Sequence, residues 1–139
     1  MNSERLLKLA EFLENNVPDE KFDMDLVIQK CKSVEDAKTC NSVCCAIGWT
    51  PHVFPDLVEY VRDTTEEEVD SKGYPYISLR LINGSEAMLD YLTVAERLFD
   101  ISSNGAEDLF NPWHDADGRP TPQMVAKEIR EYVANGHIL

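Results

Sequence analysis

Three of the four cysteines fall in one stretch, Cys40-Asn41-Ser42-Val43-Cys44-Cys45-Ala46-Ile47-Gly48-Trp49, and His52 follows three residues later. Thiolates and imidazole together are the usual ligands of zinc, and paired thiols can carry redox chemistry. The spacing, C-x3-C-C-x6-H, lacks the two separated ligand pairs of ordinary zinc sites. If residues 40 to 47 are helical, Cys40 and Cys44 share a face while Cys45 is turned about 100° from Cys44. A metal site would then need Cys40, Cys45 and His52, with Cys31 folding back as a fourth ligand. Redox chemistry has less support, because the chain has no C-x-x-C and an adjacent Cys44-Cys45 disulfide would be strained. Free cysteine packs as a small hydrophobe. The favoured reading is a close-packed helix with Trp49 filling space at its end.

The second chemical feature is charge. The 139 residues carry a net charge of -13. Thirteen acids against four bases lie between residues 51 and 110, a balance of -9. The densest run, DTTEEEVD, contains Asp63, Glu66, Glu67, Glu68 and Asp70. Such a surface repels phosphate, so direct binding to nucleic acid or an anionic membrane is disfavoured, while a basic protein surface is allowed as a partner. The plainer alternative is a solvated face that serves solubility. Trp113, in a Pro-Trp-His loop, is a candidate exposed anchor for the same partner, although a large aromatic is more often core.

Residues 111 to 139 are nearly neutral, and there Arg119, Lys127, Arg130 and His114 could meet a small anion near the start of the last helix. This gives an alternative reading as a protein that sequesters a nucleotide signal. A calcium loop in WHDADGRPT fails: with Gly118 at the invariant glycine position, Trp113 falls on the first ligand position and Met124 on the closing glutamate. The chain contains no G-x-S-x-G elbow, H-E-x-x-H helix or glycine-rich phosphate loop. No catalytic residues and no cofactor are expected.

These residues must be positioned by a small set of elements. Ser3 can cap a helix to about Asn15, with Leu6, Leu9, Ala10 and Leu13 on one stripe and Leu7 and Phe12 broadening it. Val43 to Ile47 is wholly apolar and predicts a buried helix stopped by Gly48 and Pro51. Pro55 can open a second helix carrying Leu57, Val58, Tyr60 and Val61. Ile77, Leu79 and Leu81 alternate before Asn83-Gly84, the best strand signal in the chain. Thr93 and Glu96 form a capping box, Ser103 or Asn104 can cap GAEDLF, and Thr121-Pro122 opens a helix with Met124, Val125, Ile129 and Val133 inward. The expected fold is mainly α, a compact single domain over residues 1 to 139, with one small hairpin around residues 74 to 83. Lacking a signal-like start or a long apolar segment, the chain is expected to be cytoplasmic.

The chain resembles a family of small, largely uncharacterised phage and bacterial proteins built around a C-G-T-x-x-C-A-x-G-W motif, seen here as residues 40 to 49. The likeness extends to LLKLAEFLENNVPDEKFDM, to AERLFDIS and AEDLF, and to the C-terminal TP and VAKEIREYV. Asn41-Ser42 replaces Gly-Thr, and Cys44 falls at a variable position, so the motif cysteines are Cys40 and Cys45. The resemblance implies a compact helical fold in a phage or mobile-element setting. Joined to the charge, it leads to the expectation of a non-enzymatic acidic binding protein, including a counter-defence factor that acts on a host protein or mimics nucleic acid.

Overall fold

The apolar stripe of the first helix organises the molecule. The computed structural model describes residues 1–22, 28–29, 43–62, 77–82, 91–110 and 120–135. Helix α1 spans Ser3–Asn16 and buries Leu6, Leu9, Ala10 and Leu13 completely. Each fully buried leucine contributes about 1.5–3 kcal/mol. Leu7, expected to broaden the stripe, is 37% exposed. The cap is Asn2, whose Oδ1 accepts from the Arg5 N–H at 3.1 Å, so the helix opens one residue before the expected Ser3 cap.

The described elements then run in chain order. A 3-10 turn at Asp19–Lys21 precedes the short strands β1 (Ile28–Gln29) and β2 (Val43–Cys44). A second 3-10 turn at Ile47–Trp49 leads into α2 (Thr50–Val53), β3 (Val58–Arg62) and β4 (Ile77–Leu81). Three helices complete the set: α3 (Tyr91–Phe99), α4 (Ser103–Phe110) and α5 (Pro122–Ala134). The fold is mainly α with a small antiparallel hairpin, as expected. Among the described residues no helix is long and apolar enough to cross a membrane.

The interior of the chain departs from the sequence reading in two places. Val43–Cys44 is extended and pairs antiparallel with Ile28–Gln29, so no buried helix covers Val43 to Ile47. Residues 55 to 57 form a turn and Val58–Arg62 is a strand rather than a helix. Valine and tyrosine favour a pleated strand, and Val58 and Tyr60 are buried while Glu59 between them is half-buried. β3 pairs with β4 in the register Val58↔Leu81 to Arg62↔Ile77. The expected hairpin therefore exists, but its first strand is the segment expected to be helical.

Helix boundaries also shift. α3 starts by Tyr91, which puts Thr93 and Glu96 inside the helix rather than in a capping box. α4 is capped by Ser102, whose Oγ accepts from the Gly105 N–H at 3.1 Å, one residue before the expected caps. α5 is capped as expected: Thr121 Oγ1 accepts from Met124 N–H at 3.2 Å, and Pro122 sits in the first turn, where its missing N–H costs nothing. On α5, Val125, Ala126 and Ile129 are fully buried, while Met124 and Val133 are only half-buried.

Packing joins the two ends of the sequence. α1 lies along α5, the most extensive pairing of described elements, and α3 packs on α4. The start of α1 docks on the end of α3: Asn2 N–H donates to Phe99 O at 2.6 Å and the Arg5 guanidinium to Leu98 O at 2.9 Å. A cation at a helix C-terminus also complements its dipole. α3 ends in a Schellman turn, with Asp100 at φ 52° and Ile101 N–H donating to Glu96 O at 3.2 Å. Phe99 anchors the centre, stacked on Phe110 at 5.8 Å and edge-on to Phe54 at 6.1 Å.

Candidate functional site

The sequence from Cys45 to Tyr60 folds as a tight descending turn followed by an extended return. Trp49 N–H lies between Cys45 O and Ala46 O, 3.2 and 3.3 Å away, and begins the turn. Thr50 is fully buried, and its hydroxyl donates to Ile47 O at 2.7 Å, which satisfies that polar group within the core. Pro51 lies in the first turn of α2 and so extends the helical path, where the sequence pattern suggests a stop. Gly48 likewise lies inside the 3-10 turn. The backbone reverses through Phe54 to Leu57 into β3, and Ile82 N–H donates to Leu57 O at 2.9 Å, prolonging the hairpin ladder.

This geometry makes Cys45 a packing residue of the core. Its side chain is 1% exposed, and its Sγ accepts from the Gly48 N–H at 3.4 Å. Among the described residues no group of three His, Cys, Asp or Glu side chains is placed to hold a metal ion. Cys31 and Cys40, the other thiols of the metal alternative, lie outside the described residues, and Cys44 is described only as backbone.

His52 has a different setting. Its ring lies 5.1 Å from that of Trp49 and 5.7 Å from that of Tyr60, so the three rings form a row across the turn. Phe12 of α1 extends the row, 6.2 Å from Trp49. Tyr60 is buried, and its hydroxyl donates to Gly48 O at 2.5 Å, tying β3 to the 3-10 turn. Trp49 is 2% exposed, and among the described residues its Nε1 donor has no hydrogen-bond partner.

His52 forms the shared wall of two concavities. The larger, about 430 Å³, is lined by Pro51, His52, Pro55, Glu59, Tyr60 and Ile82, with Val58 as its buried floor. The smaller, about 280 Å³, lies between α1 and α2 and includes Lys8, Glu11, Phe12, Asn15 and Asn16. Lys8 also places its ammonium 5.5 Å from the Phe54 ring centre. Ligand pockets begin at about 300 Å³, so the larger cleft falls in that range. On its wall, Glu59 is held by Arg80 from the facing strand position. Both guanidinium contacts, Nε at 2.7 Å and one terminal nitrogen, go to the same carboxylate oxygen, Oε1.

The charged candidates have varied positions. Asp63, Glu66, Glu67, Glu68 and Asp70 belong to the sequence between β3 and β4 and lie outside the described residues, as do Trp113, His114 and Arg119. Arg62 and Ile77, the described residues that flank that segment, are register partners at one end of the hairpin. Arg130 is paired with Glu14 of α1, its Nε donating at 3.0 Å, and Lys127 is exposed. Arg130 is therefore engaged two turns into α5 rather than at its N-terminus, where the Met124 N–H is already taken by Thr121. Of the residues expected to meet an anion at the start of that helix, Lys127 and Arg130 lie further along it. The pair is exposed, and pairs of this kind contribute only about 0–1 kcal/mol.

The sequence reading missed the His52–Glu59–Tyr60 cleft. Parts of it left a trace in Pro51 and Pro55, which enclose His52, Val53 and Phe54, and in the Val-Glu-Tyr-Val alternation that follows. Comparison with protein-family models, curated proteins and solved structures gives no match to this chain.

Proposed function

We propose that this chain is a non-enzymatic binding protein that uses its acidic middle to engage a basic surface on another protein. The observation that carries the reading is the charge: nine of the thirteen net negative charges fall between residues 51 and 110. The fixed ends of the hairpin support it, because Asp63 to Asp70 follow directly from an ordered strand whose partner begins at Ile77. A field of this sign raises the encounter rate with a basic partner and disfavours phosphate. The phage or mobile-element setting implied by the family resemblance makes a host protein the partner, including one whose basic surface ordinarily binds nucleic acid.

The test compares the chain with a variant in which Glu66, Glu67 and Glu68 become Gln and Asp70 becomes Asn. Each is used to recover partners from host lysate, and the recovered protein is then titrated across salt. The variant should bind more weakly and with a shallower salt dependence, since screening acts on the charges that were removed. Equal affinity and equal salt slope for the two proteins would remove the acidic run from the binding surface.

A further inference from the structure

We infer that the cleft between α2 and the hairpin is a receptor for an arginine side chain presented by the basic partner. This rests on the acidic-binder reading above and gives it a specific pocket. Three observations converge on it. The first is the unused acceptor. Arg80 makes both of its contacts to Oε1 of Glu59, and among the described residues Oε2 has no hydrogen-bond donor. Glu59 lines the cleft and its side chain is 34% exposed, so its carboxylate is not sealed in the core.

The second is the wall. His52, half-buried, lines the concavity, and a planar guanidinium can stack on an aromatic ring while its N–H donors reach a carboxylate. The flanking surface of Pro51, Pro55 and Ile82 is suited to the apolar stem of an arginine, which buries readily beside its charged head. An ammonium, compact and strongly hydrated, would use this combination less well. The third is the field. The cleft lies in the segment with thirteen acids and four bases, and Glu59 is four residues before Asp63, where the acidic run begins.

Arg80 competes for the carboxylate. Its charge opposes a second cation, and its removal frees Oε1 as well. The pocket should therefore bind more tightly without Arg80, a gain that a misfolded or inert cleft cannot produce.

The probe is a capped pentapeptide of glycine and serine around one arginine, followed by backbone and side-chain chemical shifts of the 139-residue chain. Saturable shifts are expected at His52, Glu59, Tyr60 and Ile82. The same peptide with citrulline, isosteric and uncharged, should give none. Glu59→Gln should weaken binding about two- to fivefold, as for a partly exposed ion pair, and Arg80→Met should strengthen it. In the variant with Glu66, Glu67, Glu68 and Asp70 neutralised, the cleft shifts should persist, which separates this pocket from the acidic run. The inference is overturned if the arginine peptide gives no saturable shift, if citrulline matches it, if Arg80→Met does not tighten binding, or if the shifts vanish with the acidic run. Weaker partner binding by the run variant with no effect of Glu59→Gln would keep the acidic-binder reading and remove the pocket.

Discussion

The Tyr132 hydroxyl occupies the place beside Gly105 that any side chain there would need: a Cβ at 105 would lie 2.3 Å from Oη and 3.2 Å from Cζ. α4 and α5 can approach this closely because position 105 carries no side chain.

Gly105→Ala should therefore destabilise the protein by about 1–2 kcal/mol, the overpacking strain outweighing alanine's better helix propensity. Adding Tyr132→Phe removes the clashing oxygen and should restore part of the stability. Denaturant unfolding of both single variants and the double variant measures the coupling. Simple additivity would place the strain elsewhere.

Burial raises the Tyr132 hydroxyl above its ordinary value near 10, and the nearby Asp108 carboxylate pushes in the same direction. The folded state then holds this proton to higher pH than the unfolded chain does. The resulting stability is fully present below about pH 10 and is lost as pH rises through the folded value. An alkaline stability profile should fall less steeply for Tyr132→Phe than for the parent chain.

Asp100 closes α3 at φ 52°, a conformation that glycine adopts without strain. Asp100→Gly should stabilise the fold by about 0.5–1 kcal/mol. The substitution also removes the ion pair between the Asp100 carboxylate and the Met1 ammonium, but at 3.5 Å and with the carboxylate exposed that pair adds little. A fall in thermal midpoint would show that the carboxylate matters more than the backbone.

Cys45 should not react with a thiol reagent until the protein unfolds. Cys45→Ala should leave the native thiol count unchanged and lower the denatured count by one. Its metal content should equal that of the parent chain, whereas a drop in bound zinc would make Cys45 a ligand.

Trp49→Phe should cost less than about 2 kcal/mol, because the smaller buried area is offset by removing a buried donor that has no acceptor among the described residues. Trp49→Ala should cost about 3–5 kcal/mol. Equal costs for the two, measured by denaturant unfolding, would point to an acceptor for Nε1.

The helical frame was legible in the sequence where two signals agreed. In α5, the Thr121-Pro122 start, the helical apolar period and Asn135 all point to one element, and it forms as expected. Leu6, Leu9, Ala10 and Leu13 likewise share one period and one buried face. The stretch from Val43 to Val61 was not legible in the same way. Its apolar runs are short, so periodicity cannot separate a strand from a buried helix. The choice falls to pairing: β3 is a strand because β4 lies beside it, and β2 because β1 does. The cleft depends on the same long-range pairing, which brings Ile82 next to Leu57. The prolines and the Val-Glu-Tyr-Val alternation mark its parts, but no local pattern joins His52 and Glu59 to Ile82.

The contact between Glu14 and Arg130 joins residues 116 positions apart. At roughly 5–20 residues per second, a ribosome takes about 6 to 23 s to make the intervening chain. For that interval the leucine stripe of α1 is already synthesised while its principal neighbour does not yet exist. The nascent chain should consequently fold late, after release of α5 from the exit tunnel, and should be a client for chaperones that shield apolar helices until then.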